Sequence, residues 1–145
     1  MQKIVPFLWF DGKAEEAARF YVSIFKNSKV LSATPMSVTF QLEGQPFYAL
    51  NGGPQYKFTP AISLFVNCDT QQEVDELWNK LSAGGSDEQC GWLKDKYGLS
   101  WQIIPTVLGK LLNDKNAQKA NAAMQAMLKM KKIDIKGLQQ AYDRA

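Results

Sequence analysis

The stretch CGWLKDKYGLSWQIIP, Cys90 to Pro105, reads as two strand-forming runs folded around a glycine turn. Gln89 to Lys94 and Leu99 to Ile104 are rich in aromatic and branched residues, and Lys96-Tyr97-Gly98 between them supplies the glycine that a tight reversal favours. Immediately upstream, Thr70 with Glu73 three residues on predicts a capping box. Val74, Leu77, Trp78 and Leu81 then fall on one face of the helix it starts, and Gly84-Gly85 stops that helix. Ala61 to Asn67, before the cap, is a β-rich run.

The same order stands in the first part of the chain. Lys3 to Phe10 predicts a strand ending at Asp11-Gly12, and Ala14, Ala17, Ala18, Tyr21, Ile24 and Phe25 place one apolar face on a helix over Lys13 to Phe25. Lys29 to Thr34 reads as a short strand. Val38, Phe40 and Leu42 alternate with polar residues, and Gly44-Gln45 allows a reversal into Pro46 to Asn51, closed by Gly52-Gly53-Pro54. Strand and helix thus return about 57 residues later, the mark of a duplicated unit. Each half alone leaves one sheet face bare, so pairing the halves is the expected way to bury both. Beyond Pro105 the pattern turns helical, over Val107 to Leu112, Asn116 to Met130 and Leu138 to Tyr142, with Ala120, Met124, Met127 and Leu128 as the expected docking stripe.

Composition sets outer limits. A chain of 145 residues that is 46% hydrophobic is long enough for one core and short for two. No apolar run approaches the roughly 20 residues of a membrane span, and the first ten residues lack a leader's cleavage site, so no membrane contact is expected. From Lys110 onward eight basic residues face three acidic ones, against nine and eleven in the rest. Those lysines are spread along helical patterns without aromatic interleaving, which reads as solvated helix faces and not as a nucleic-acid surface. Cys68 and Cys90 have no metal-like spacing and fit reduced thiols in the cytoplasm.

Five stretches carry a family likeness: FDGKAEEAARFY (Phe10 to Tyr21), LNGGPQYKF (Leu50 to Phe58), EVDELWNKL (Glu73 to Leu81), the Cys90 to Pro105 segment, and AMLKMKKIDI (Ala126 to Ile135). On these residues the chain resembles the vicinal oxygen chelate (glyoxalase/bleomycin resistance/dioxygenase) superfamily, and within it the PhnB-like branch, described as a 3-demethylubiquinone-9 3-methyltransferase domain. The resemblance implies an α+β fold of paired βαβββ modules with C-terminal helices. One domain over 1–145 is expected, with halves about 1–55 and 58–105 and a helical tail 106–145.

The resemblance also implies a divalent metal held by His, Glu or Gln on the first and last strands of the halves. Matching helix starts and the terminal hairpin puts Ile4 or Pro6 on the first strand, Ala61 or Ser63 on the strand opening the second half, and Gln102 on the last. Only Gln102 is a donor of that kind, the chain has no histidine, and one amide oxygen does not hold Zn²⁺ or Ni²⁺. A Rossmann-type methyltransferase needs a strand, a glycine-rich turn and an acidic residue for the cofactor ribose, and Gly52-Gly53 runs into Pro54 instead of a helix. No metal and no cofactor are therefore expected.

Without histidine no Ser-His-Asp or Cys-His pair exists, and no catalytic residue is assigned. Asp95 is read as a turn residue or an acid–base group, Cys90 as a small hydrophobe or a reactive thiol, and Trp9, Trp92 and Trp101 as core or cavity lining. Asn51 either caps its turn or orients a ligand. The expectation drawn from these residues is a metal-free small-molecule-binding protein, a cytoplasmic homodimer. Phe47, Trp92 and Trp101 wall its pocket, and Asn51, Ser100 and Gln102 are its polar contacts. Two other readings stay open: an enzyme of unassigned reaction using Gln102 with other oxygen donors or Asp95, and a dimeric interaction module.

Overall fold

The computed structural model describes residues 2–145, which divide into two compact units, one ending at Phe58 and one running from Thr59 to Ala145. In the first, β1 (Phe7–Phe10), α1 (Ala14–Ile24), β2 (Lys29–Ala33), β3 (Ser37–Leu42) and β4 (Gln45–Asn51) form a sheet of order β1-β4-β3-β2. In the second, β5 (Ser63–Cys68), α2 (Gln71–Ser82), β6 (Ser86–Asp87), β7 (Trp92–Lys94) and β8 (Ser100–Pro105) form a sheet of order β5-β8-β7-β6. The outer pairs β1–β4 and β5–β8 are parallel and the other neighbours antiparallel, so both units repeat one βαβββ topology. The fold is α+β, completed in the second unit by α3 (Thr106–Leu112), α4 (Ala117–Leu128) and α5 (Ile135–Arg144).

The first strand is shorter than the run from Lys3 suggests. Pro6 has no N–H to give to a ladder; its carbonyl accepts from Tyr48 at 3.0 Å and regular pairing begins only at Phe7. The helix α1 lacks a cap of its own, since Lys13 makes no side-chain hydrogen bond at that end. Asn51 does the work from the far end of β4, its Oδ1 accepting the Ala14 N–H at 2.8 Å. The small residues Ala14, Ala17 and Ala18 are buried, and Tyr21, also buried, meets Phe40, which stacks on Phe47 at 5.2 Å. In the second unit Thr70 caps α2, accepting from Glu73 N, while the Glu73 carboxylate reaches one residue further back than a capping box does and takes the Asp69 N–H at 2.8 Å. The two-residue β6 carries no apolar alternation, and nothing in the sequence announces it.

The tail is part of the second unit. Leu108, Leu111, Ala123, Ile133 and Leu138 share one cluster with Ile104 of β8. The expected α4 stripe is rotated from its predicted position: Ala123 is fully buried with Ala126 and Met127 packed nearby, whereas Met124 and Leu128 are exposed. The reason is that α4 meets both α3 and α5, and a helix with two neighbours presents the small side chain that lets both approach. Polar bonds hold the segment in place. Gln71 of α2 donates to Ile133 O at 3.0 Å and accepts from Ile135 N at 2.8 Å, and Cys90 and Gly91 donate their N–H groups to Met130 and Lys131 carbonyls, both at 2.8 Å. Among the described residues no helix is long and apolar enough to cross a membrane.

At the end of β4, Trp9 lies against Gly52, donates Nε1–H to Gly53 O at 2.9 Å and meets Tyr56 edge-on at 4.9 Å. A Cβ at Gly52 would collide with the indole ring. The Gly52→Ala variant is expected to lose about 1–3 kcal/mol of stability, the usual cost of overpacking, in urea unfolding followed by tryptophan fluorescence. An unchanged midpoint would mean that the indole is free to move aside.

Candidate functional site

The strand β8 is central in its sheet, so its residues alternate between two environments. Trp101 and Ile103 are buried on the side where α2 packs, with Leu93, Val74, Leu77 and Leu81 among the buried neighbours. Gln102 and Ile104 point the other way. The register sets Gln102 between Phe65 of β5 and Trp92 of β7, so an amide flanked by two aromatic rings crosses that face in one row. Asn67 and Ile104 form the next row. Because α3 follows Pro105 directly, Thr106, Leu108, Gly109 and Leu112 rise at the edge of the sheet, and Met127 of α4 joins them. Together with Cys90 these residues line a cavity of about 360 Å³.

The lining is mostly apolar. Its polar groups are Asn67, Gln102, Thr106 and the Cys90 thiol, and none of its twelve residues carries a carboxylate, an amine or a guanidinium. Gln102 donates Nε2–H to Ser63 Oγ at 3.0 Å. That bond holds one end of the amide and leaves the other end to meet a guest.

Two of the six predicted pocket residues, Trp92 and Gln102, meet in this cavity, and four do not. Phe47 and Asn51 belong to the first unit. Phe47 is core, and both ends of the Asn51 amide are engaged, Oδ1 by Ala14 N–H and Nδ2 by Pro35 O at 3.0 Å. Trp101 is on the α2 side of β8 and donates Nε1–H to Asp95 at 2.9 Å. Ser100 shares the Gln102 face but is fully buried, does not line the cavity, and among the described residues its Oγ has no hydrogen-bond partner. Phe65, Asn67, Thr106, Leu108, Leu112 and Met127 were missed by sequence reasoning. The signal for two of them was present: in Ser63 to Cys68 the set Ser63, Phe65, Asn67 alternates with Leu64, Val66, Cys68, which marks a more polar face.

Asp95 is a turn residue, and a buried one at 2% exposure. Its Oδ1 accepts the N–H groups of Tyr97 at 2.8 Å and Leu99 at 3.1 Å, and its Oδ2 accepts from Trp101. The carboxylate thus holds its own turn and the Trp101 indole, and it lies outside the cavity lining.

Of the strand positions that the resemblance assigns to a metal, Gln102 alone carries an amide or acid donor. Ile4 and Pro6 precede β1, Ala61 precedes β5, and Ser63 is the hydrogen-bond acceptor of Gln102. Among the described residues no three His, Cys, Asp or Glu side chains gather as a metal-binding group. The donor set does not fit the divalent ion of the chelate fold.

A family model described as 3-demethylubiquinone-9 3-methyltransferase matches residues 2–104. A PhnB protein from Bacillus cereus, described by that same methyltransferase name, is 38% identical over 72% of this chain and 100% of its own, with a TM-score of 0.67. Protein PA1353 from Pseudomonas aeruginosa is 21% identical, over 72% of this chain and 98% of its own, at a TM-score of 0.60. A glyoxylase/bleomycin resistance protein/dioxygenase domain from Frankia sp. EAN1pec shares the fold at 14% identity, 72% and 92% coverage and a TM-score of 0.51. No curated protein matches the chain.

The two thiols differ in reach. Cys68 is fully buried, and that burial, with the nearby Glu73 and Asp69 charges, pushes its thiol up to about 12. A group raised in the folded state stabilises it below the unfolded value, so stability is expected to fall as pH climbs from about 8.5 toward that folded value. A disulfide reagent at pH 8 should titrate one thiol, Cys90, in the native protein and the second only after unfolding; rapid labelling of both would place Cys68 in reach of solvent.

Proposed function

This chain belongs to the PhnB-like family described as 3-demethylubiquinone-9 3-methyltransferase, and from that membership we propose that it is a small-molecule-binding protein that works without a metal. The observation that carries this reading is the cavity on the open face of the second sheet, with apolar walls, an aromatic pair and a few uncharged hydrogen-bonding groups. Such a lining holds a guest by burial and orients it with Gln102, Asn67 and Thr106. The shortage of metal donors supports the metal-free part of the proposal.

A methyl transferase of the Rossmann type binds its donor at a glycine-rich turn, and the residues do not fit that arrangement. The passage from β5 to α2 is Cys68-Asp69-Thr70, without glycine, and no carboxylate lines the cavity to take a ribose. An enzyme built on Asp95 is disfavoured by the hydrogen bonds that this carboxylate already accepts from Tyr97, Leu99 and Trp101. A pure interaction module leaves the open cavity without a role. A homodimer in the cytoplasm completes the proposal, supported by two free cysteines and by exposed apolar side chains such as Phe7 and Met36 in the first unit.

Thermal-shift screening against neutral metabolites tests the reading. A ligand at 100 times its Kd should add about 2.7 kcal/mol to stability, and Trp92→Ala and Gln102→Ala should each weaken it at least about tenfold while the fold persists. If no compound moves the melting temperature, the binding role fails; stoichiometric Zn, Ni, Mn or Fe in protein purified without a histidine tag would defeat the metal-free part.

A further inference from the structure

The family match ends at residue 104, and the Bacillus cereus relative is spanned in full by 72% of this chain, yet the cavity continues past that limit. Its floor, Trp92 and Gln102, lies within the matched residues. Its wall, Leu108, Gly109, Leu112 and Met127, lies wholly beyond them. Resting on the binding role proposed above, we infer that the helical segment after Pro105 is the specificity element of the site and admits a compact, uncharged, largely apolar guest with an aromatic face.

Four observations converge on this class. The first is charge: the lining holds no formally charged side chain, so an ionised guest would lose its hydration and gain no counter-charge. The second is shape. Phe65 and Trp92 flank Gln102 in one row, which suits a planar ring laid over the amide with one hydrogen-bonding group toward the amide end that Ser63 does not hold. The third is size. About 360 Å³ lies at the small end of the pockets that take drug-sized ligands, roughly 300–1,000 Å³.

The fourth is Gly109. It sits inside α3, where glycine is the weakest helix former after proline, and a Cβ there would meet nothing within 4 Å. Packing does not require a glycine at that position, and the position is an exposed stretch of the cavity rim. The bare backbone keeps the entrance wide. The wall itself is held firmly, because Leu108 is buried in the same cluster as Leu111, Ala123 and Ile133, and Gln71 pins the chain on both sides of Asp134. The segment therefore acts as a fixed wall with one open rim, set by its own side chains and not by those of the matched module.

Two fluorescent probes that share one ring skeleton test the inference on the full-length chain: neutral N-phenyl-1-naphthylamine and its anionic sulfonate, 8-anilinonaphthalene-1-sulfonate. The neutral probe should bind with enhanced emission, and the sulfonate at least about tenfold more weakly. Gly109→Phe, which blocks the rim, and the double variant Leu112→Ala/Met127→Ala, which strips the wall, should each weaken the neutral probe at least about tenfold, with Gly109→Ala staying within about twofold. Near-UV circular dichroism confirms that each variant folds, and since the two lesions lie on α3 alone and on α3 with α4, loss of one leaves the other to decide. Binding that falls in Trp92→Ala but ignores both wall variants would overturn the inference while the proposed binding role stands. Equal binding of the sulfonate would overturn the uncharged class, and failure of the wild type to bind the neutral probe would overturn the inference outright, with the metabolite screen left to judge the binding role on its own.

Discussion

One buried carboxylate sets the register on which the second unit depends. Asp95 gathers two backbone N–H groups of its own turn and the indole N–H of Trp101, six residues on, so the reversal and the strand that follows are fixed by the same side chain. Strand side chains alternate with a period of two, and a slip of one residue in β8 would bring Trp101 to the open face and turn Gln102 into the core. Burying a carboxylate is costly unless hydrogen bonds replace its water, and here three donors do so. The fixed register places Phe65, Gln102 and Trp92 in one line.

From that line the rest of the site follows by connection. Because β8 passes into α3 at Pro105 with no intervening loop, the first turn of the helix rises directly from the strand end that holds Ile104. Ile104 itself lines the cavity and also joins the cluster that buries α3, α4 and α5. Packing of the tail and shape of the cavity are thus two results of one set of contacts. The charges of the tail, eight lysines and arginines against three acidic residues from Lys110 on, are absent from the cavity lining.

Much of this was legible in the sequence where the signal is local. The helix faces of α1 and α2, the Thr70 cap and the glycine turn at Gly98 depend on residues within one or two turns of each other, and they formed where the spacing put them. The β1 boundary was misread because an apolar run at Ile4 and Val5 looks like a strand until the missing N–H of Pro6 is counted. Site residues were legible only in part, since the sequence says that Trp92, Trp101 and Gln102 alternate but not which side meets a helix. The fate of Asn51 was out of reach: its partners, Ala14 and Pro35, are 37 and 16 residues away, and only the assembled sheet brings them to its amide. For α4 the stripe was drawn for one neighbour when the helix has two. The cavity wall was hidden for the same reason, because a helical pattern does not tell where the helix will lie.

The order of the chain gives the tail's bonds to Gln71, Cys90 and Gly91 a consequence during synthesis. The sheet and its open face are made first, and about 40 further residues must be added before α3 to α5 can close over Ile104. Until they do, Trp92 and Ile104 lack the wall that covers them in the finished fold. A second sheet without its tail is a sticky surface, and the bonds from Gln71 to Ile133 and Ile135 are what keep the cover in place once it arrives.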